Sequence, residues 1–180
     1  MFAPMIPAGT STASESGDVF VTPRLFDRIV ESERNIIAIE TPRVDEVLAQ
    51  FRHFALRSGN SIYAWSEADG LQSLREGEVT VPGSARLPDA LRYVGTSLHF
   101  GVYVFRGVTA LLRFSPIRTQ VLALLRQIAR GKPGTATVRK LVLIEDKVTL
   151  AEGLEEITER FVDEPAARRR FRLRDGRWVQ

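Results

Sequence analysis

Short runs of β-branched and aromatic residues alternate along this chain with amphipathic stretches of helical spacing. A helix of about 10–15 residues is long enough to carry a chain from one strand to the start of a parallel neighbour. This alternation predicts a three-layer α/β fold, with a mostly parallel five-stranded sheet and helices on both of its faces. The predicted strands comprise residues 35–41, 61–66, 99–106, 140–145 and 157–162.

The residues that begin and end helices support this division. Thr22 and Pro23 are typical of an N-cap followed by the first helical residue. Gly59 is a typical stop for the amphipathic helix that begins near Val44. We expect a further helix between Ser115 and Gly131. Three more segments are predicted, namely a short helix from residue 88 to 94, a loop over 67–82 and a helical turn over 149–155.

The two ends of the chain differ in composition from its centre. Residues 1–18 are rich in Pro, Gly, Ser and Thr, and this composition predicts a disordered segment. Residues 19–165 are predicted to form one α/β domain. Residues 166–180 are arginine-rich and are predicted to form a β-hairpin on or beside the domain, because Asp175-Gly176 favours a type I′ turn.

The composition excludes several kinds of site. The chain has no cysteine, which rules out disulfides, thiol nucleophiles and cysteine-based metal sites. Its two histidines, His53 and His99, are too few for a histidine-rich metal centre. The first residues lack the basic start and apolar stretch of a signal peptide, so we expect a cytoplasmic protein with no membrane partner.

Motifs for nucleotide chemistry and nucleophilic catalysis are also missing. The nearest approach to a Walker A loop is residues 131–135, but its residue order is wrong and Pro133 lacks an N–H that could bind phosphate. Neither GxGxxG nor GxSxG occurs. The sequence therefore predicts a non-enzymatic chain without cofactor or metal. An unrecognised enzyme that uses Glu40, Glu67 or Asp69 at the rim of the sheet stays open as an alternative.

Six arginines and one aspartate give residues 166–180 a net charge of +5. Arginines beside aromatic residues can hold phosphates and stack on bases. Arginines on an edge hairpin can equally face water and discourage aggregation, and this interpretation is favoured. The candidate interaction residues are Arg168, Arg169, Arg170, Arg172, Arg174 and Trp178.

Four stretches carry a resemblance to a known family. They read IIAIETPRVDEVL, SIYAWSEADGL, YVFRGVTALLRFSPIRTQVLALLRQIA and KLVLIEDKVTLAEGLEEIT. Together they resemble the N-terminal domain of the Ycf46-like AAA ATPases of plastids and bacteria, which looks like a degenerate Rossmann or P-loop layer without the phosphate loop. The family strand typically runs into Lys-Asp, whereas this chain has Arg106-Gly107. The chain stops at Gln180, so the resemblance implies a stand-alone relative of an ATPase's accessory domain.

The resemblance and the missing motifs together predict a function. The chain is expected to be a non-catalytic protein-interaction module that assists an AAA-type ATPase or a larger assembly. Self-association stays open. The alternative is a nucleic-acid-associated factor that binds through the arginine-rich tail.

Overall fold

A computed structural model describes residues 23–77, 79–113, 115–131, 139–151, 153–162, 173–174 and 177–178. It confirms the predicted three-layer α/β fold. The helices are α1 (Pro23–Glu31), α2 (Val44–Ser58), α3 (Leu87–Thr96), α4 (Val108–Leu112) and α5 (Arg118–Ala129). The strands of the main sheet are β1 (Ile36–Glu40), β2 (Ile62–Ser66), β3 (Gly70–Ser73), β4 (Gly101–Arg106), β5 (Arg139–Glu145) and β6 (Thr158–Val162).

The main sheet has six strands in the order β3-β2-β4-β5-β1-β6. Every adjacent pair is parallel except β2 and β3. The predicted count of five strands was therefore wrong, because β3 falls in the stretch predicted to be a loop. Its sequence, Gly-Leu-Gln-Ser, has low intrinsic preference for a strand. The strand forms because a tight turn after Ser66 brings Leu71 opposite Trp65.

The side chains of the buried strands alternate between two apolar layers, as the pleat of a strand requires. On β1, Ile37 and Ile39 pack with α1 and α2, whereas Ile36 belongs to the opposite layer with α3, α4 and α5. Helix α2 carries the chain in one direction across the sheet and α5 carries it in the other. The two helices also lie on opposite faces of the sheet. Both crossovers therefore have the right-handed sense that βαβ units favour.

Smaller departures from the predicted elements have local causes. The helical turn expected over residues 149–155 is wrong for the described residues before 155, because the short 3₁₀ turn that forms, Glu155–Ile157, begins only at that residue. The five-residue α4 was not predicted, because no capping side chain precedes it. It begins after Gly107, whose backbone adopts the left-handed conformation at φ 72°. The predicted hairpin is confirmed by two short strands, β7 (Leu173–Arg174) and β8 (Arg177–Trp178), which pair antiparallel as a separate sheet. Its Asp175-Gly176 turn lies outside the described residues, as do 1–18.

Polar side chains at the amino edge of the sheet bind the carbonyl groups at the ends of three helices. The Asn35 amide donates to Ile128 O at 3.2 Å, in the last turn of α5, and to Gly131 O at 2.7 Å, just after that helix. The Arg139 guanidinium donates to Gly95 O at 2.7 Å, at the end of α3. The Lys140 ammonium donates to Ser32 O at 2.5 Å, at the end of α1. This edge therefore satisfies carbonyl groups that a helix end leaves without partners.

Among the described residues, no helix is long and apolar enough to span a bilayer.

Candidate functional site at the carboxyl edge of the sheet

The connections that leave neighbouring strands β1 and β5 turn to opposite faces of the sheet. The chain after β1 enters α2 in one layer, whereas the chain after β5 packs Leu154 into the other layer. A gap between two such strands is the topological switch point at which open α/β sheets bind ligands. The register places Glu40 and Glu145 opposite each other at this point, as the last residues of their strands.

Both carboxylates at the switch point accept hydrogen bonds from the chain itself. Glu40 Oε1 accepts from the backbone N–H of Val148 at 3.0 Å and from Arg160 Nη1 at 3.0 Å. Glu145 Oε1 accepts from the N–H of Thr109 at 2.6 Å, and its Oε2 accepts from the Thr109 hydroxyl. The Thr109 oxygen also accepts from the N–H of Thr149 at 3.3 Å. These acids therefore anchor two loops and the first turn of α4.

A phosphate site needs the opposite arrangement, with free N–H donors pointing into the gap. Here carboxylates occupy the gap, and they accept from nearby N–H groups that could otherwise bind an anion. Two adjacent negative charges also repel a polyphosphate. Within the described ranges there is no group of three or more acids and histidines that could hold a metal ion. The geometry thus favours a structural role for this switch point.

Arg106 and Gly107 replace the Lys-Asp pair expected from the resemblance. Arg106 Nη1 lies 2.7 Å from Asp45 Oδ1 on α2, and both side chains are largely exposed. Asp45, which belongs to α2, thus places a carboxylate near the end of β4. Gly107 turns the chain from β4 into α4. An exposed ion pair of this kind contributes little stability.

Replacing Glu145 by glutamine is expected to lower the free energy of unfolding by about 1–2 kcal/mol, because the amide cannot accept two hydrogen bonds from Thr109 as a carboxylate does. Urea denaturation followed by circular dichroism measures the change. Glu67→Gln is the matched control, since Glu67 is exposed. Equal stability of the two variants would show that the Glu145 contacts do not hold α4.

Two depressions flank the connection between α4 and α5. The larger is a groove of about 550 Å³, bordered by the end of β2, the start of α3 and this connection. Trp65 at its base stacks on Phe105, with ring centroids 5.4 Å apart, and its indole N–H donates to Ser84 O at 2.9 Å. The smaller is a mostly apolar pocket of about 110 Å³ between α4, α5 and residues 149–151 and 154.

The structure separates the candidate residues predicted from the sequence. Arg168, Arg169, Arg170 and Arg172 lie outside the described residues, and of Arg174 and Trp178 only the pairing of the hairpin backbone is described. Glu67 lines the larger groove, whereas Asp69 accepts from the Ser66 hydroxyl at 2.8 Å in the turn before β3. Glu40 lies at the switch point, at the end of β1, and strands β4 and β5 separate β1 from the strands β2 and β3 that Glu67 and Asp69 connect.

Sequence reasoning missed Glu145 and Thr109. Glu145 ends its strand as Glu40 ends β1, and that shared position was the available signal. Thr109 carried no signal, because α4 itself was not predicted.

A mostly parallel open sheet with helices on both faces and a topological switch point defines a Rossmann-like domain. The family model of the SpoVK-like AAA ATPase N-terminal domain matches residues 22–162, and the chain belongs to this family. This finding confirms the resemblance to the N-terminal domain of AAA ATPases. Neither the curated proteins nor the solved structures include a match to the chain.

Proposed function

We propose that this chain is a non-catalytic protein-interaction module that works with an AAA-type ATPase module in the cytoplasm. Membership of an AAA ATPase N-terminal domain family supports the ATPase context. The main support for a non-catalytic role is the occupation of the switch point by Glu40 and Glu145, both of which bind the chain's own donors.

The carboxyl edge of the sheet offers the surface for such a partner. The groove beside α3 and the pocket beside α5 share the α4–α5 connection as a wall. Leu111 on α4, just before this connection, is a partly exposed apolar residue that borders the groove. Apolar residues at the rim of a concave surface, surrounded by polar ones, are typical of protein interfaces. We therefore assign the partner-binding surface to this edge.

Two measurements test the proposal. Isothermal titration with Mg-ATP at concentrations up to about 1 mM is expected to give no saturable heat, since the switch point lacks a phosphate cradle. Addition of the chain to a purified AAA module of the same family is expected to change that module's rate of ATP hydrolysis. Leu111→Glu is expected to abolish the change, because a buried unpaired charge opposes docking.

Leu56→Glu is the matched control, because Leu56 is an exposed apolar residue on α2, on the other face of the sheet. It should leave the effect on the ATPase intact. Hydrolysis of ATP by the chain itself at an ordinary enzymatic rate would overturn the non-catalytic assignment, and saturable Mg-ATP binding would contradict the absence of a phosphate cradle. An ATPase rate that does not respond to the chain, with no co-elution of the two proteins, would overturn the accessory role.

The nucleic-acid alternative stays a prediction. It depends on arginines that lie mostly outside the described residues.

A further inference from the structure

The small pocket beside α5 has an apolar interior and lies next to the switch point. Thr109, which binds Glu145, is one of its lining residues. The volume of about 110 Å³ is somewhat below that of a cavity of about 150 Å³ that accepts benzene. The pocket therefore fits a branched aliphatic group of about four carbons and is too small for an indole or a nucleobase. Its apolar walls are formed by Val108, Leu112, Leu125, Leu143 and Leu154.

Among the described residues that line this pocket, the charged side chains are both arginines. Arg113 and Arg118 are exposed, and among the described residues neither guanidinium has a hydrogen-bond or ion-pair partner. None of the lining residues that the structure describes is an acid. Helix α5 itself contains arginines and no acidic residue. The mouth of the pocket is therefore suited to an apolar group that has negative charges beside it.

The neighbouring groove indicates a chain-like ligand. Leu111 and Ile117 line the groove. The residue that follows each of them, Leu112 and Arg118 respectively, lines the pocket. Both depressions therefore lie along the same short connection, on its two sides. An extended peptide can lie along such a ridge, whereas a small molecule fills one depression only. Because Glu67 and Asp89 line the groove, the negative charges of such a peptide belong at the mouth of the pocket.

We infer that the arginine-rimmed pocket binds a leucine-sized side chain from an acidic segment of the partner protein. The side chain enters between α4 and α5, and carboxylates on either side of it pair with Arg113 and Arg118. Guanidinium groups suit this role because they bind carboxylates in a bidentate manner. A nucleic acid is disfavoured, since the pocket is too narrow for a base and none of its described lining residues is aromatic. The inference rests on the proposed function and names the chemistry of the partner.

Fluorescence anisotropy with a short labelled peptide, in which one leucine stands between glutamates, tests the inference. Binding to the full chain is expected to weaken as salt rises, because rim charges are screened. Ala151→Leu, which fills the pocket from its wall, is expected to reduce affinity at least tenfold. Arg113→Gln with Arg118→Gln is expected to do the same and to remove most of the salt dependence.

The control variant carries Arg52→Gln and Arg57→Gln on the exposed side of α2 and should bind within about twofold of the parent. Peptides in which leucine becomes alanine, or glutamates become glutamines, should bind more weakly. Urea midpoints of all variants identify any loss of fold. The inference would be overturned if the pocket variants bound the peptide as tightly as the parent protein does. It would also be overturned if the parent did not bind the acidic peptide at about 1 mM. The change in the rate of the ATPase would still stand in that case, so the two failures are distinguishable.

Discussion

Replacing Gly70 by alanine is expected to lower the free energy of unfolding by about 3–4 kcal/mol. Gly70 has φ of 74°, a conformation that side chains rarely adopt. A Cβ there would lie 3.0 Å from Ser84 Oγ and 3.1 Å from the backbone nitrogen of Ala85. The added methyl group therefore brings both backbone strain and a close contact with a neighbouring loop.

The loop that Gly70 touches is held to the sheet by several contacts. Ser84 Oγ accepts from the N–H of Leu71 at 2.8 Å and donates to Val81 O at 2.6 Å. Ser84 O accepts from the Trp65 indole. The same loop leads into α3 and one wall of the larger groove. Displacement of the loop would therefore weaken the packing of Trp65 and change the surface proposed for the partner.

Gly59→Ala separates strain from steric contact. Gly59 has nearly the same φ, 71°, but nothing lies within 4 Å of its added Cβ. This control is expected to cost only about 1–2 kcal/mol, the price of the left-handed conformation alone. Urea denaturation followed by Trp fluorescence measures both variants. Equal losses would show that the loop at Ser84 moves without cost and that the contact at Gly70 is not a determinant of the fold.

Replacing Lys140 by methionine is expected to cost about 2–3 kcal/mol near neutral pH. The buried side chain of Lys140 reaches the end of α1, where its ammonium donates to Ser32 O at 2.5 Å and to Arg34 O at 2.9 Å. Methionine keeps the apolar length but leaves these carbonyl groups without their donor. Lys147→Met is the control, because Lys147 is exposed. A variant at position 140 as stable as the control would contradict this role.

The pH dependence of this loss has a definite sign. Burial lowers the pKa of Lys140, and the nearby charge of Glu159 offsets part of this effect. Between the lowered pKa and the ordinary value of 10.5, the unfolded chain binds more protons than the folded chain, so stability rises with pH. The loss caused by Lys140→Met should therefore be larger at alkaline pH than at neutral pH. A loss that shrinks as pH rises would contradict the burial of this ammonium.

The tyrosines act in the opposite direction and cancel from this comparison. Burial raises the pKa of both Tyr103 and Tyr63. The hydroxyl group of Tyr103 donates a hydrogen bond to Ser97. The stability that each provides is present below its ordinary pKa of 10.0 and is lost as pH rises through the raised value. Because the parent and the Lys140 variant both contain these tyrosines, the difference between the two proteins reports Lys140.

The strongest local patterns in the sequence were sufficient to predict most of the elements. The run Ile36–Glu40 is apolar enough to form a strand in any buried setting, and Gly59 ends α2 in the left-handed conformation expected of it. The fold class follows from this alternation. When strands alternate with helices, the helices can cover both faces of the sheet only in a layered arrangement. Family membership was likewise accessible from four stretches of sequence.

Other features were decided by contacts between residues distant in the chain. Strand β3 has little preference of its own and forms because pairing with β2 satisfies its backbone groups. The first turn of α4 receives its hydrogen-bond acceptor from Glu145, a residue 36 positions away. Likewise, Arg113 and Arg118 flank an apolar pocket only because residues 149–151 and 154 fold back against α5.

The sequence by itself determined the layered sheet, the order of its main elements and the absence of a phosphate-binding motif, because these depend on periodicity and residue type along short stretches. Only the tertiary structure decided that Glu40 and Glu145 meet at the switch point and that a groove and a pocket flank the α4–α5 connection. Strand order and register set those neighbours, and they arise from packing across the whole sheet.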